Sequence, residues 1–568
     1  MAEMDSPSKL EETRKGSVGA VEITDAHGRT RKIDVSELNE ADLALAEQFG
    51  YHPVFKREFG YLSSFSFAVS ISGLFSTVTT TFYYPLIAGG AASAVWCWFI
   101  AGLGCMCIAL SVAELVSAYP TCGGLYYTIS RLAPRPWVPS ISWVVGWMNL
   151  LGQIAGVASS EYGAAQMLLA AVSMGSGSTI VDGVPIFNYA PTIGQTIGVM
   201  AVLTIVCGLV NSLSTYWMEK MTKTYVIFHV IVLISCCIAL LVMTENKHDA
   251  SYVFTNVDSE SGWTPTGWSF VFGFLSVAWT MTDYDATAHI TEEISEPEIK
   301  APWAISMAML FTYLAGFLFN IVLVYCMGDP SELLASSLGQ PVAQLYYNSL
   351  GLKGGIAFTV FALIIIQFVC FTAMQALGRT VFAFSRDNLL PFSHIWTIVN
   401  PVTQTPLYAV WFSTFWCIVI NLIGLGSYAA ISGVFNITAI SLDWSYTIPI
   451  ACKLIWGKFT PGPWHLGKFS YWINLWACIW TFFVSIIFIL PTLLPATPSN
   501  MNYAIVFMAF ILFVAMFWWY VRGRHFYTGP SMQADFESSS DGGHVPAAVL
   551  EKRGIESDES QEKKELQA

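Results

Sequence analysis

Asp283 and Asp285 lie in SVAWTMTDYDATAHITEEISEPEIKAP, from Ser276 to Pro302, where they interrupt an apolar run that opens near Trp268. An ionised acid at the centre of a bilayer costs about 2.5–3.5 kcal/mol on insertion scales, so it is expected to face a partner or a water-filled cavity. Two residues apart on an intact helix, the pair diverges by about 200° and one acid points toward lipid. A break over 280–284 removes that conflict. Asp283 then faces a cavity as the partner of an ammonium or a proton, while Asp285 caps the second half-helix or binds a neighbour. The spacing also allows the reverse assignment, or two structural caps.

A second apolar run, FAVSISGLFSTVTTTFYYP, is weakened at its middle by Ser70, Ser72 and Gly73. Small residues of this kind can form a packing face. They can also mark an unwound turn over Ser70 to Phe75, whose freed amides and following half-helix attract a carboxylate. Trp279 is the aromatic best placed for cation–π contact with an amine. His229 is a candidate proton carrier, because imidazole titrates near neutral pH, although a satisfied buried histidine fits the same sequence. Glu161 suits packing, a gate contact or ion coupling, and Asp443 could line the outer pathway. Glu292 and Glu293 are expected to make gating contacts with Arg131 or Arg386, or to form a solvated charge run. No Walker loop, nucleophile elbow or Cys/His metal spacing is found. No enzymatic activity, metal, cofactor or nucleic-acid partner is therefore expected, and an ion gradient is the expected energy source.

The elements that hold these residues are membrane helices. The chain of 568 residues is 54% hydrophobic and 11% charged, where soluble domains average about 25% charged. Segments of about 20 apolar residues fall near 62–88, 91–117, 136–171, 191–211, 222–243, 267–290, 303–328, 355–384, 406–425, 429–451, 470–494 and 502–521. These predict an all-α integral membrane protein with 12 transmembrane helices. Residues 1–58 and 526–568 read as polar, largely disordered cytosolic tails around a membrane domain over 59–525. With both tails inside, fourteen Lys and Arg flank the cytosolic ends, against Lys247 and Lys353 outside, in keeping with the positive-inside rule. Interruptions in the first and sixth spans, five helices apart, point to an inverted-repeat transporter with a site at the membrane midplane.

Several motifs carry a family resemblance over roughly residues 40–530. ELVSAYPTCGGLYYTISRLAP, AHITEEISEP and GRTVFAFSRDNLLPFS resemble the amino acid–polyamine–organocation superfamily. SWVVGWMNLLGQIAG, GKFSYWINLWACIW and NMNYA resemble its fungal amino acid/choline transporters, the GABA permeases above all. The resemblance implies the leucine-transporter-like 5+5 inverted repeat plus two helices, with proton-coupled import (proton symport). It places Ser72, Gly73 and Leu74 on the carboxylate-binding break, and Thr282, Asp283, Tyr284 and Asp285 on the matching one. His229 falls where several relatives have a fifth-span lysine; Asp283 stands where the superfamily often has glycine. GABA is the expected substrate, with choline or a polyamine as the alternative and a non-transporting nutrient sensor as a rival of another class. The plasma membrane is the expected site rather than the vacuole. Lys9 and Lys15 are candidates for ubiquitin-ligase machinery acting on the tails.

Overall fold

The computed structural model describes residues 20–24, 30–34, 42, 51, 54–181, 184–426, 428–498 and 500–530. The chain divides into two units, one of residues 1–53 with 531–568 and one spanning Val54–Pro530. In the first, β1 (Ala20–Thr24) pairs antiparallel with β2 (Thr30–Asp34). These ten residues form a hairpin within 1–58, which was expected to be largely disordered. Alternation within VEI and RKI suits a two-stranded ladder. The remainder of both expected tails lies mostly outside the described residues.

The second unit is helical. Its elements are α1 (Tyr61–Ser72), α2 (Leu74–Thr81), α3 (Tyr83–Ala118), α4 (Gly124–Leu132) and α5 (Val138–Gly175), then a hairpin of β3 (Ser178–Val181) and β4 (Val184–Phe187). There follow α6 (Ile193–Val210), α7 (Thr215–Met243), α8 (Thr266–Val271), α9 (Phe274–Thr280), α10 (Ala286–His289) and α11 (Pro297–Cys326). Then come α12 (Pro341–Arg386), α13 (Leu407–Leu422), α14 (Tyr428–Trp456), α15 (Ser470–Ile489) and α16 (Ala504–Trp518). Ten helices among the described residues are long and apolar enough to cross a membrane. The interrupted α8–α10 segment and α14 correspond to the other two of the twelve expected spans. Non-helical Gly89 and Gly90 divide the long α3, and Gly351 (φ 70°) divides α12, near the expected span limits.

Both expected interruptions are present. Between α1 and α2, Gly73 adopts the left-handed conformation (φ 46°, ψ 37°). Neighbouring hydroxyls satisfy carbonyls at the turn: Ser72 donates to Val69 O at 2.9 Å, Ser76 to Gly73 O at 2.9 Å and Thr77 to Ser72 O at 2.8 Å. Irregular backbone survives at this depth only where such partners are at hand. In the sixth segment helical winding stops after Thr280 and resumes at Ala286, and Asp283 is left-handed (φ 64°). Aspartate is among the few side chains that tolerate this region. The hydroxyls of Thr81 on α2 and Ser276 on α9 lie 2.7 Å apart, so the two broken segments run side by side.

The first broken segment is the most enclosed, with 89% of its apolar window buried, whereas the last helix has 11% and presents its surface to lipid. Close helix contact depends on small residues: a Cβ on Gly316 of α11 would lie 2.1 Å from the Trp98 ring of α3. The expected domain limits shift outward at both ends. Phe59 N donates to Glu293 O and Ser295 N donates to Phe59 O, both at 3.0 Å. At the other end Tyr527 shares hydrogen bonds with Tyr126 (2.6 Å) and Ser142 (3.0 Å). The helical unit thus spans 54–530 rather than 59–525.

Candidate functional site

The two breaks border one small cavity of about 30 Å³, room for about two water molecules. Ile71 and Thr77 reach it from either side of the Gly73 turn, and Trp279, Thr282 and Asp283 from the sixth segment. Gln153 and Ser160 of α5 and Thr438 of α14 complete its polar wall. Among the described residues, Asp283 Oδ1 and Thr282 Oγ1 are buried without a hydrogen-bond partner. Unmet acceptors are costly in a low-dielectric site, and here they border the space a cationic group could enter.

A larger chamber of about 350 Å³ is lined in part by Tyr83, Tyr84, Gln166 and Asn500. Tyr162 and Phe435 line it too and belong with Trp279 to one apolar cluster. The Trp279 and Phe435 rings are 5.1 Å apart, and the indole N–H donates to Ser159 Oγ at 3.2 Å. This aromatic layer separates chamber from cavity.

The opposite, basic end is closed by ion pairs. Glu292 is bound by Arg386 (3.1 and 3.3 Å) and accepts from the Cys122 amide at 3.1 Å. Glu293, fully buried, accepts from Arg379 Nε at 2.6 Å and Gln375 at 3.2 Å. The expected Glu292–Arg386 contact is present. Arg131 instead donates to its own helix neighbour, the Tyr127 hydroxyl, at 3.1 and 2.9 Å. Arg379 holds Glu293, and sequence reasoning missed it in that role. Its signal was the seven-residue spacing from Arg386, which puts both guanidiniums on one face of α12. Arg57 adds bonds to Ile294 O (2.8 Å) and Thr291 O (3.1 Å), strapping the chain across this closure.

The predicted site residues separate into groups. Trp279, Thr282 and Asp283 lie on the cavity. Ser72 turns to Thr312, with its hydroxyl 2.8 Å from that of the threonine. Gly73 and Leu74 form the turn itself, which presses on the cavity-lining Val369. Tyr284 turns away to pack edge-on against Tyr446, with centroids 5.6 Å apart. Asp285 does not cap α10; it accepts from Asn149 (2.6 Å) and Tyr446 (2.6 Å) and meets His289 Nε2 at 3.0 Å. Neither Tyr284 nor Asp285 faces the cavity, because the left-handed residue at 283 re-aims the backbone that follows it.

His229 lies against the first break, where its Nε2 accepts the Phe75 amide at 3.1 Å. An imidazole nitrogen that accepts carries no proton, so this ring is neutral here. One amide of the anticipated anion site is thereby engaged. The polar face Asn149, Gln153 and Ser160 was also missed. Its spacing of four and seven within WMNLLGQIAGVASS marks one side of α5.

An amino acid permease family model matches residues 59–512. An uncharacterized amino-acid permease of Schizosaccharomyces pombe is 54% identical over 90% of this chain and 93% of its own length. Amino-acid permease 2 of Neurospora crassa is 48% identical over 92% of this chain and 94% of its own. Amino-acid permease BAT1 of Arabidopsis thaliana is 31% identical, over 85% and 95%. The chain therefore belongs to the amino acid permease family and is a multi-pass helical membrane transporter of amino acids.

Proposed function

We propose that this transporter imports a small zwitterionic amine, GABA first among the candidates, together with protons across the plasma membrane. Both termini lie in the cytosol and twelve helices span the bilayer in a 5+5 inverted repeat plus two. One observation carries the reading: two left-handed interruptions, at Gly73 and Asp283, flank a single cavity in which Asp283 Oδ1 lacks a partner. The substrate ammonium binds Asp283 beside the face of Trp279. Its carboxylate is directed to the positive N-terminal end of α2. A closed basic end and a chamber on the other side fit the outward-facing half of an alternating-access cycle.

Radiolabelled GABA uptake in a transport-null fungal strain, with and without a proton uncoupler, tests this. Uptake should collapse with the uncoupler; indifference refutes the coupling. Unlabelled choline, spermidine and GABA as competitors decide substrate class. Asp283 beside Trp279 would also receive a choline or polyamine cation, and competition by those but not by GABA replaces the zwitterion reading. A chain that signals without any uptake is the nutrient sensor instead.

A further inference from the structure

The polar groups below the cavity contain a proton that can be counted. His289 Nδ1 lies 2.8 Å from Cys122 O, and His289 Nε2 lies 3.0 Å from Asp285 Oδ2. A carbonyl oxygen only accepts, so Nδ1 carries hydrogen. A neutral imidazole then has a bare lone pair on Nε2, facing a carboxylate oxygen. Two lone pairs do not share a contact of 3.0 Å. One further proton must lie between them, as imidazolium with carboxylate or as imidazole with carboxylic acid. The same electron pairs bind it in either form, and no other bond changes.

We infer that Asp285 and His289 together form the proton-binding site of the transport cycle. This rests on the proton coupling proposed above and names the groups that perform it. The pair is sealed, with Asp285 0% and His289 1% exposed, and Asn149 and Tyr446 fix the carboxylate from α5 and α14. Among the described residues, Asp283 on its own segment and Tyr446 on α14 face Asp285, and Cys122 before α4 faces His289; around these, Asp443 lies near Tyr446, and Arg386, Glu292 and Asp387 lie near Cys122.

Position gives the pair its use. Asp283, two residues before Asp285, borders the cavity. Cys122, whose carbonyl holds His289, gives its amide to Glu292 at 3.1 Å, and Glu292 is bound by Arg386. A proton entering from the cavity side adds to the pair and completes both hydrogen bonds of His289. When that proton leaves to the cytosol, Nε2 and Oδ2 repel. The ring must then move its remaining proton to Nε2 and surrender the Cys122 carbonyl, or swing away from Asp285. Either movement disturbs Cys122, the residue whose amide steadies Glu292. His229 has no such surplus, because its single contact is satisfied by the neutral ring.

The test uses the full chain in proteoliposomes, a radiolabelled amino-acid mixture containing GABA as probe, and two readouts. Exchange against the same unlabelled mixture reports binding and alternation; accumulation under an imposed pH gradient reports coupling. With one proton per substrate, each unit of gradient supports about tenfold accumulation. His289→Gln and Asp285→Asn should each lose about that tenfold accumulation and flatten the pH profile while still exchanging. A wild-type chain that ignores the gradient overturns the coupling reading and the pair with it. A coupled wild type whose H289Q variant keeps both its accumulation and its pH profile overturns the pair alone. So does loss of coupling in His229→Gln but not in H289Q. If both variants lose exchange, the double substitution, which replaces the pair with two amides, decides: a folded double variant still unable to exchange marks an architectural contact and overturns the inference.

Discussion

Replacing Gly73 with alanine tests the first break directly. Gly73 is left-handed at φ 46°, and an added Cβ would lie 2.1 Å from Val369 Cγ2. A non-glycine residue in that conformation costs about 1–2 kcal/mol. Val369 cannot swing aside cheaply, since a β-branched side chain on a helix has one strongly preferred rotamer. The overlap adds about 1–3 kcal/mol as overpacking, so Gly73→Ala should destabilise by about 2–5 kcal/mol. It should also abolish uptake, because relief by rewinding the turn or moving Val369 changes the cavity wall. Val369→Ala removes the overlap but not the backbone strain. In a double-mutant cycle, read by unfolding in detergent and by uptake, the two substitutions should show a favourable interaction of about 1–3 kcal/mol. A Gly73→Ala protein within about 0.5 kcal/mol of wild type, or strict additivity, would refute the argument that this glycine is held left-handed against Val369.

Asp283→Asn removes a charge without breaking a hydrogen bond made by Oδ1. Stability should hold, while apparent substrate affinity falls about ten- to hundredfold, the worth of a charged hydrogen bond of about 1.5–3 kcal/mol, measured by uptake kinetics. Arg379→Ala leaves Glu293 buried and unpaired, at a cost of about 3–5 kcal/mol. Arg386→Ala should cost less, since its side chain is 11% exposed, and unfolding in detergent ranks the two. Burial pushes the Cys122 thiol well above its ordinary range, so a membrane-impermeant maleimide should label it slowly from the basic face and faster in Arg386→Ala, with Cys122→Ser as control. For Glu292, burial raises the carboxyl pKa, but Arg386 together with the Cys122 amide and thiol outweighs it, and the net position is below the ordinary value. Its contribution is therefore complete above about pH 4.3 and lost as pH falls through the lower folded value. Opening at the basic end, read by Cys122 labelling corrected for thiolate fraction, should be flat from about pH 8 to 5 and rise only below that.

The positions of the breaks were legible because each violates a rule that lipid imposes on a span. Ser70, Ser72 and Gly73 weaken an apolar helix, and two acids two residues apart cannot share one helical face. What each side chain does beyond the break was not legible. A left-handed residue at 283 sends Asp283 to the cavity, Tyr284 to Tyr446 and Asp285 into the scaffold, and no periodicity applies to a turn of this kind. An ion pair of the glutamates with Arg386 was readable, but the choice of Arg379 over Arg131 depends on how α12 and α4 pack, which is a tertiary fact. His229 shows the limit most clearly: its residue type suits proton transfer, but its contact with a backbone amide freed by unwinding depends on the break and had no sequence signal.

Cavity, proposed proton pair and ion-paired closure occur in order within eleven residues of one segment, from Asp283 through Asp285 and His289 to Glu292 and Glu293. Each is held by a different partner: Asn149 of α5, Tyr446 of α14, the Cys122 peptide before α4, and Arg379 and Arg386 of α12. The segment has little helix of its own, since α10 is a single turn of four residues. Its backbone is instead tied to Phe59 and Arg57. An element with so few internal hydrogen bonds takes its conformation from its neighbours, so a change at any one partner is felt along its whole length. That is the physical reason the proposed coupling of substrate, proton and gate needs no long pathway: the groups assigned to it share one short, weakly self-supported stretch of chain.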